Sequence, residues 1–592
     1  MTSPRQLIVC CDGTSNNLTG WVNDTNVTKL CGLLDPDGRG QRLFYDPGVG
    51  NPGQLPSTTW IDALRRRGQR LTGLALGQGI FENIGEGYSF LMQNFQAGDQ
   101  IWIFGFSRGA FTARSIAGLV MQFGLLRPES QALLPTLLHT YFSDRRESKR
   151  YKAVSAQIGQ LFAGQARQVP VWFLGVWDTV ASVGLPLLGQ QTITARPSIV
   201  GRPVHHVRQA LALDEHRSAF EPRPYIVEPG HDYAAGGQSL RQLWFAGSHC
   251  DVGGGYHHSE SGAANEALLW MLQEACGCGL RLQAQLHGSD GALDEAALRQ
   301  RLQASWGAAA EACTRAEPAS EAPDRCLHSE TYDTAWWALA GLKLRDPTRN
   351  PDWNRADTPV LAQEHPSVAR PARCFAQDTV WTRRRPVAPL IGSAFGVIFF
   401  ALLAGRLLAA PADLDLSAWG AFLATGIEQA QAAWAANLAL SAWQLGWLPW
   451  AHPLQWPWSA PTQVAPPALR HLGGALLADL GLIGCYAYLL ARSSSWAFAR
   501  VAGLGRAAAR PRSAGLLNLL GQAARVAVLA DLVENLSTWA VQLSAGSADL
   551  PDAEWLWGLL MTASSAAKWG ALLGCGLLVA WGLLARPERR VS

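Results

Sequence analysis

The sequence carries little charge for its length. Only 16% of its 592 residues are Asp, Glu, Lys or Arg, and the two signs nearly balance at a formal net charge of +3. A nucleic-acid-binding domain usually shows a strong basic excess, so we expect no nucleic-acid partner. The mean hydropathy lies slightly above zero, and the chain is too long for one hydrophobic core. We therefore expect at least two domains, one of them unusually apolar.

Two further features are missing from the sequence. Residues 1–17 contain no apolar run followed by a small-residue cleavage site, which predicts no secretory signal peptide. The eleven cysteines are an odd number without regular spacing, which favours free thiols over a disulfide framework. Cys276 and Cys278 stand too close for the usual zinc-binding pair, and no second pair supports a structural metal site.

A change in composition near residues 370–390 divides the chain into two parts. In the first part short apolar runs, typical of buried strands, alternate with helical stretches. The predicted strands are 7–11, 43–45, 101–104, 171–176 and 243–246, and the predicted helices are 73–95, 110–123 and 263–275. This alternation predicts an α/β fold in which a mostly parallel sheet is covered by helices on both faces. We assign residues 1–375 to this domain and 376–592 to a helical membrane domain.

The predicted strand 101–104 leads into the pentapeptide G-F-S-R-G, which has Ser107 at its centre and is followed at once by a helix. This is the G-x-S-x-G pattern in the strand–turn–helix context of a nucleophilic serine. The helix N-terminus and the backbone amide of Arg108 are placed to stabilise an oxyanion. The alternative is an ordinary serine in a glycine-rich loop. We predict that Ser107 is a nucleophile.

A serine nucleophile needs a base and a carboxylate, which in this fold follow later strands in the order Ser, acid, His. Asp178 follows the predicted strand 171–176, and His249 follows the strand 243–246. The alternatives are a turn or helix-capping role for Asp178 and a packed loop position for His249. Because both come in the required order at strand ends, we predict that they complete a triad.

The first predicted strand ends in Asp12, Gly13 and Thr14. Small residues after an early strand let backbone amides approach a substrate, so Gly13 and Thr14 are candidates for the second oxyanion donor. Asp12 is a further site candidate that would orient this loop or lie near the base. A plain Asp-Gly turn is an equal alternative.

The segment 249–258 contains three histidines and Asp251, a set of side chains that suits a metal ion. Its spacing fits no helix-borne histidine pair, and its three glycines suit a tight loop that presents one histidine. Asp251 remains a site candidate, whereas His257 and His258 are expected to face solvent. We expect no metal and no organic cofactor.

Several motifs resemble one family. They are LIVCCDGTSNN (7–17), GFSRGAFTAR (105–114), GVWDTVASVG (175–184), HHVRQALALDEHRSAFEP (205–222) and LWFAGSHCDVGGGY (243–256). They are similar to the α/β-hydrolase domain family that includes type VI secretion phospholipase effectors, and the resemblance extends over roughly residues 5–373. It implies an α/β-hydrolase fold, phospholipid hydrolysis, and a triad of Ser107, Asp178 and His249. It also implies delivery to a target cell, with a secretion-system or immunity partner that the residues themselves do not identify.

Four apolar segments in the second part are near the length that crosses a bilayer. They are 389–410, 472–491, 526–546 and 567–585. The third carries Asp531 and Glu534, so its alternative is an amphipathic helix on a surface or in a bundle. Basic and non-basic loops alternate between the segments, which predicts a multi-pass protein with the catalytic domain on the cytoplasmic side.

Together these patterns predict a membrane-associated serine hydrolase that cleaves carboxylic esters of lipids, with membrane lipid as substrate and the bilayer as a partner. The alternatives are an inactive hydrolase domain on a membrane-disrupting or scaffolding protein, or an enzyme for small esters.

Overall fold

The computed structural model describes residues 4–13, 23–35, 40–48, 78–143, 148–180, 182–183, 191–192, 198–228, 230–257, 261–288, 292–302, 326–327, 339, 341–345, 363–366, 373–374, 393–394, 396–397, 399–400, 472–502, 514–544 and 551–584.

The chain forms two compact units. One comprises Met1–Ser329, Arg345–Phe375 and Leu504–Ala509, and the other comprises Glu330–Leu344, Ala376–Gly503 and Arg510–Ser592.

The first unit is built on a seven-stranded sheet in which every described pair of neighbours is parallel. Its strands are β1 (Gln6–Cys11), β2 (Gln41–Asp46), β3 (Gln100–Phe106), β4 (Val171–Trp177), β7 (Val204–Ala212), β8 (Ser239–Phe245) and β10 (Gln363–Glu364). The spatial order is β10-β8-β7-β4-β3-β1-β2. Two short pairs lie outside this sheet: β5 (Ser182–Val183) with β6 (Gln191–Thr192), and β9 (Cys326–Leu327) with β11 (Arg373–Cys374).

Helices connect the strands of this unit. They are α1 (Asn26–Leu33), α2 (Gln78–Asn94), α3 (Ser107–Phe123), α4 (Leu134–Phe142), α5 (Lys149–Phe162), α6 (His249–Gly253) and α7 (Gly262–Gly277). Parallel strands need such crossovers, because a hairpin turn cannot return the chain to the same end of the sheet. The predicted α/β fold with a mostly parallel sheet is thereby confirmed. The five predicted strands are all present, and the helix predicted to begin at residue 110 begins at Ser107 instead.

Two hydrophobic cores lie on opposite faces of the sheet, because successive side chains of a strand point to opposite sides. In β1, Leu7 and Val9 belong to one core, together with residues of α2 and α3. Ile8 and Cys10 belong to the other, together with residues of α1 and α7. Burial on both faces explains why these strands read as continuous apolar runs.

The connections of the sheet reverse direction at β1. The chain passes from β1 to β2 at one edge, and later strands extend from β3 to the other side. In open α/β sheets this reversal leaves a crevice beyond the carboxyl ends of the two central strands, where ligands bind. The residues after β1 and β3 therefore lie at the crevice, and these are Asp12 and Ser107.

The second unit is helical. Its described helices are α8 (Leu472–Ala502), α9 (Ala514–Leu520), α10 (Ala523–Ser544) and α11 (Pro551–Leu584). Apolar residues of α8, α9, α10 and α11 form its core, among them Ile483, Phe498, Leu517 and Leu578. Leucines such as Leu573 and Leu584 are exposed, at 66% and 80%.

Two stretches among the described residues are long and apolar enough to cross a membrane, Leu516–Thr538 and Leu559–Leu584. They overlap the predicted spans 526–546 and 567–585. Residues 472–491 are helical as part of α8, and the membrane span predicted there stays a prediction. The predicted span 389–410 lies largely outside the described residues.

A polar cluster joins the helices of this unit. Lys568 of α11 lies with Nζ 3.0 Å from Oδ1 of Asp531 and also pairs with Glu534, both on α10. Tyr486 of α8 donates from its hydroxyl to Asp531. The two acidic residues that made 526–546 resemble a surface helix are thus paired with Lys568 inside the bundle, which offsets part of the cost of burying them.

Candidate active site

Ser107 occupies a strained turn between β3 and α3. Its φ of +59° is positive, which is unfavourable for a residue with a Cβ and is typical of functional positions. The flanking glycines make the turn possible. A Cβ on Gly105 would lie 2.5 Å from the carbonyl oxygen of Gly109, and a Cβ on Gly109 would lie 2.2 Å from that of Asp12. The G-x-S-x-G spacing therefore follows from close packing of the helix start against the strand ends.

Asp178 occupies a second strained turn, directly after β4. Ser107 and Asp178 are the two non-glycine residues with positive φ in the described part of the chain, and φ of Asp178 is +39°. The Asp178 side chain is fully buried. Its Oδ1 accepts from the backbone amide of Ala212 at 3.0 Å, and the amide of Asp178 donates to Ala210 at 2.8 Å. The end of β7 thus holds the carboxylate at the edge of the sheet.

His249 is the first residue of α6, just beyond β8. Ser248 is the N-cap residue of this short helix, and Asp251 completes a capping box with it. The Oδ2 atom of Asp251 accepts hydrogen bonds from the backbone amide of Ser248 at 2.9 Å and from the Ser248 hydroxyl at 3.2 Å. Gly247 enters the turn with φ of +106°. The position of Asp251 in this structure is that of a capping residue that fixes the turn presenting His249.

The imidazole of His249 contacts the acid directly. Its Nδ1 lies 2.6 Å from Oδ2 of Asp178. The ring also packs against Phe106, with centroids 4.6 Å apart, and against the edge of Phe220 at 5.0 Å. Nε2 of His249 is buried and makes no hydrogen bond within the described part of the chain, so none joins it to the Ser107 hydroxyl.

The charges around Asp178 and His249 determine which of these two side chains carries the proton between them. Burial by itself would raise the pKa of Asp178, but the guanidinium of Arg345 and the hydrogen bond from His249 outweigh burial and hold that pKa well below its usual range. An ionised carboxylate only accepts hydrogen bonds, so Nδ1 of His249 carries the proton. In the neutral imidazole Nε2 is then an acceptor, which is the state a general base requires.

Residues 5–274 match the family model described as "T6SS, Phospholipase effector Tle1-like, catalytic domain". The matched segment contains Ser107, Asp178 and His249. It ends within α7, so Arg345, β10 and the helical unit lie outside the match.

A curated yeast protein shares part of the same segment. The chain is 32% identical over 239 residues to "Uncharacterized protein YEL023C" of Saccharomyces cerevisiae. The alignment covers 38% of this chain and 34% of the yeast protein, so the chain spans about a third of the relative's length.

The loop after β1 is held by Asp12, which is fully buried. Its Oδ2 accepts from Thr25 at 2.7 Å and from the hydroxyl of Tyr45 at 3.0 Å. Its Oδ1 accepts from the amide of Gly13 at 2.7 Å, so in this structure that amide already has a partner. Thr14, the other candidate donor, lies outside the described residues. These contacts fix Asp12 in the turn after β1, and its place in a functional site stays a prediction.

Arg108 follows Ser107 at the start of α3, and burial lowers the pKa of its half-buried guanidinium to about 10. Among the described residues no group of three or more His, Cys, Asp or Glu side chains is arranged to hold a metal ion. His258, one of the histidines considered for such a site, lies outside those residues.

Two residues near the pair had no role in the sequence prediction. Arg345 forms an ion pair with Asp178, but it belongs to none of the motifs, so no local pattern marks it. Glu215, in the motif LDEHR, accepts from the backbone amide of His249 at 3.3 Å and pairs with Arg217 at 2.7 Å. Glu215 follows β7, which the sequence did not predict as a strand, so a search of predicted strand ends for carboxylates does not reach it.

Proposed function

We propose that the Tle1-like domain is a serine esterase that cleaves carboxylic esters of phospholipids through Ser107, His249 and Asp178. The observation that carries the proposal is the Nδ1–Oδ2 contact of 2.6 Å between His249 and Asp178. This pair lies at the same edge of the sheet as the strained serine turn. The family match supports a phospholipase-type activity, and the order of strands supports an α/β-hydrolase type of fold.

The proposed reaction has two halves. Nε2 of His249 removes the proton of the Ser107 hydroxyl while Oγ bonds to the ester carbonyl carbon. When the carbon–oxygen bond to the alcohol breaks, His249 returns the proton to the departing oxygen, which leaves an acyl-serine. Water, deprotonated by the same imidazole, then attacks the acyl carbon and releases the fatty acid and Ser107. Asp178 stays ionised throughout and stabilises the imidazolium.

The tetrahedral intermediate of this reaction places a negative charge on the former carbonyl oxygen. We assign the backbone amide of Arg108, at the N-terminus of α3, as one donor to that oxygen. A second donor comes from the loop after β1. Because the Gly13 amide is engaged by Asp12, its use requires that this contact opens, and Thr14 is the alternative donor.

The helical part would place the enzyme at its substrate. Leu516–Thr538 and Leu559–Leu584 have the length and hydropathy of membrane spans, and exposed leucines such as Leu573 and Leu584 suit contact with lipid tails. We propose a catalytic domain of residues 1–375 on the cytoplasmic side of a bilayer and a multi-pass membrane domain of residues 376–592. Delivery into a target cell is consistent with the effector family.

The test is fatty-acid release from glycerophospholipid vesicles by the full-length protein in bilayer nanodiscs. Ser107→Ala should reduce the rate by roughly 10⁶-fold. Ser115→Ala is the matched control, because Ser115 is fully buried on the same helix, α3, and should retain wild-type activity. Equal rates for wild type and Ser107→Ala would refute the mechanism.

A fluorophosphonate probe distinguishes the remaining alternatives. A functional triad should label at Ser107 in the wild type and not in Ser107→Ala. An inactive scaffold would not label at all. An enzyme for small esters would label and hydrolyse short-chain esters but release nothing from vesicles. A series of esters of increasing chain length therefore tests the lipid assignment separately from the triad.

A further inference from the structure

Arg345 contacts Asp178 through both arms of its guanidinium. Nη1 lies 2.5 Å from Oδ1 and Nη2 lies 3.0 Å from Oδ2. The ion pair is almost completely buried, with the side chains of Arg345 and Asp178 exposed by 4% and 0%. The planar fork of arginine fits a carboxylate in this two-point manner, which a lysine cannot reproduce.

The same guanidinium is fixed by backbone carbonyls. Nη1 donates to Ala212 at 2.7 Å and Nη2 donates to Phe220 at 2.5 Å. Ala212 is the last residue of β7, and its amide is also a donor to Asp178. Phe220 supplies the ring that meets the imidazole of His249 edge-on. Arg345 therefore contacts three parts of the chain around Asp178 and His249, which are the turn after β4, the end of β7 and the segment at Phe220.

We propose that Arg345, which lies beyond the family-matched segment, is a positioning residue that locks Asp178 in place and sets the pH range in which His249 acts as a base. This inference rests on the proposed function, because it assigns a role within the same triad. Arg345 touches neither the nucleophile nor the reacting atoms and acts through Asp178.

The geometric part of the argument concerns rotation of the carboxylate. Oδ2 of Asp178 accepts hydrogen bonds from His249 and from Arg345. Oδ1 accepts hydrogen bonds from Arg345 and from the backbone amide of Ala212. Without the guanidinium the carboxylate keeps one contact per oxygen and gains freedom about its terminal torsion. An imidazole held by a mobile carboxylate samples orientations in which Nε2 does not face the serine, so the rate falls.

The electrostatic part concerns the charges that surround His249. The negative charge of Asp178 is paired with the guanidinium of Arg345, and that of Glu215 is paired with the guanidinium of Arg217. Two further carboxylates, Asp214 and Asp251, bind the backbone amides of Gly247 and Ser248.

Burial lowers the pKa of the neighbouring His216 to about 4, so it is neutral at physiological pH. Removal of Arg345 would leave the charge of Asp178 unopposed and would favour the imidazolium form of His249. The base would then be protonated, and therefore inactive, up to a higher pH.

The experiment compares Arg345→Gln and Arg345→Lys with wild type in the full-length protein, using a soluble ester across a range of pH. Arg345→Gln should lower the plateau of kcat/KM by up to about 100-fold. It should also move the acid limb of the profile to higher pH by about one unit. Arg345→Lys keeps the charge but loses the fork, so its plateau should fall while its acid limb stays near that of wild type.

Arg208→Gln is the matched control. Arg208 is a buried arginine of β7 that pairs with Glu274 at 2.5 Å and also donates to backbone carbonyls, but it contacts no residue of the triad. Its loss should lower the melting temperature of the protein without moving the acid limb.

An Arg345→Gln protein that hydrolyses the ester with a wild-type pH profile would overturn the inference while leaving the triad intact. An inactive wild-type protein would instead refute the proposed function. If Arg345→Gln does not fold, the profile of Arg345→Lys decides: an unchanged plateau contradicts the role of the fork.

Discussion

The ring of Phe106 lies against the imidazole of His249, with 4.6 Å between their centroids and 31° between their planes. Phe106 is the residue directly before Ser107, so the strand that leads to Ser107 also packs against the His249 ring. The contact couples the last residue of β3 to the first residue of α6, which are far apart in sequence. Gly253 permits this approach, since a Cβ there would lie 1.8 Å from the Phe106 ring.

The substitution Phe106→Leu should distinguish the contribution of Phe106 to core packing from its contribution to the position of the His249 ring. Leucine fills most of the space at a modest cost in stability, about 1.5 kcal/mol or less, but it removes the flat face against the imidazole. We expect kcat/KM for a soluble ester to fall roughly tenfold or more. Phe173→Leu is the control, because Phe173 is equally buried in the same core and stacks on Trp102. Equal kinetic losses in the two variants would show that the Phe106 ring has no specific role.

Substitution Gly109→Ala should disrupt the serine turn. The added Cβ would lie 2.2 Å from the carbonyl oxygen of Asp12, a backbone atom that cannot move without displacing the end of β1. We expect a loss of both stability and esterase activity, measured by thermal unfolding and ester hydrolysis. Gly85→Ala, on helix α2, places its Cβ 3.9 Å from Leu138 and should be neutral or stabilising by up to about 1 kcal/mol. A fully active Gly109→Ala protein would contradict the close approach.

Glu215→Gln tests the buried ion pair behind His249. Burial by itself would raise the pKa of Glu215, but Arg217 outweighs it and lowers that pKa to about 2. A depressed carboxylate pKa contributes stability that is present above the ordinary value of 4.5 and is lost as the pH falls towards 2. The variant should therefore be less stable than wild type at neutral pH, by about 3 kcal/mol. The difference should shrink between those two pH values. Urea unfolding at several pH values measures this, and a pH-independent difference would be the contrary result.

Lys568→Met tests the polar cluster of the helical unit. The change leaves Asp531 and Glu534 of α10 without their cation, and breaking a buried pair from one side costs about 3 to 5 kcal/mol. We expect a lower melting temperature in detergent micelles. The variant Lys568→Met/Asp531→Asn/Glu534→Gln removes all three charges and should recover much of the loss. If the single and triple variants melt alike, charge compensation is not what these residues provide.

Much of the first unit could be predicted from its sequence, and β7 shows why part of it could not. The five predicted strands are apolar runs, whereas β7 contains His205, His206, Arg208 and Gln209 and has no clear pattern. Its polar side chains find partners that are distant in the sequence. Arg208 pairs with Glu274, and Gln209 donates to Thr179 and to the carbonyl of Arg223. A strand whose polar residues are compensated by tertiary contacts is not recognisable by local periodicity.

The sequence alone determined the strand–turn–helix at Ser107, the chain order of Asp178 and His249, and the apolar character of the second half. Each of these depends on neighbours in the chain: glycine spacing, strand ends and runs of apolar residues. Tertiary structure decided which side chains meet. The fork of Arg345 reaches a carboxylate 167 residues away, and Phe106, Glu215 and Lys568 find their partners on other elements. Such contacts depend on sheet register and helix packing, which are set by the burial of the whole chain and leave no mark in any short segment.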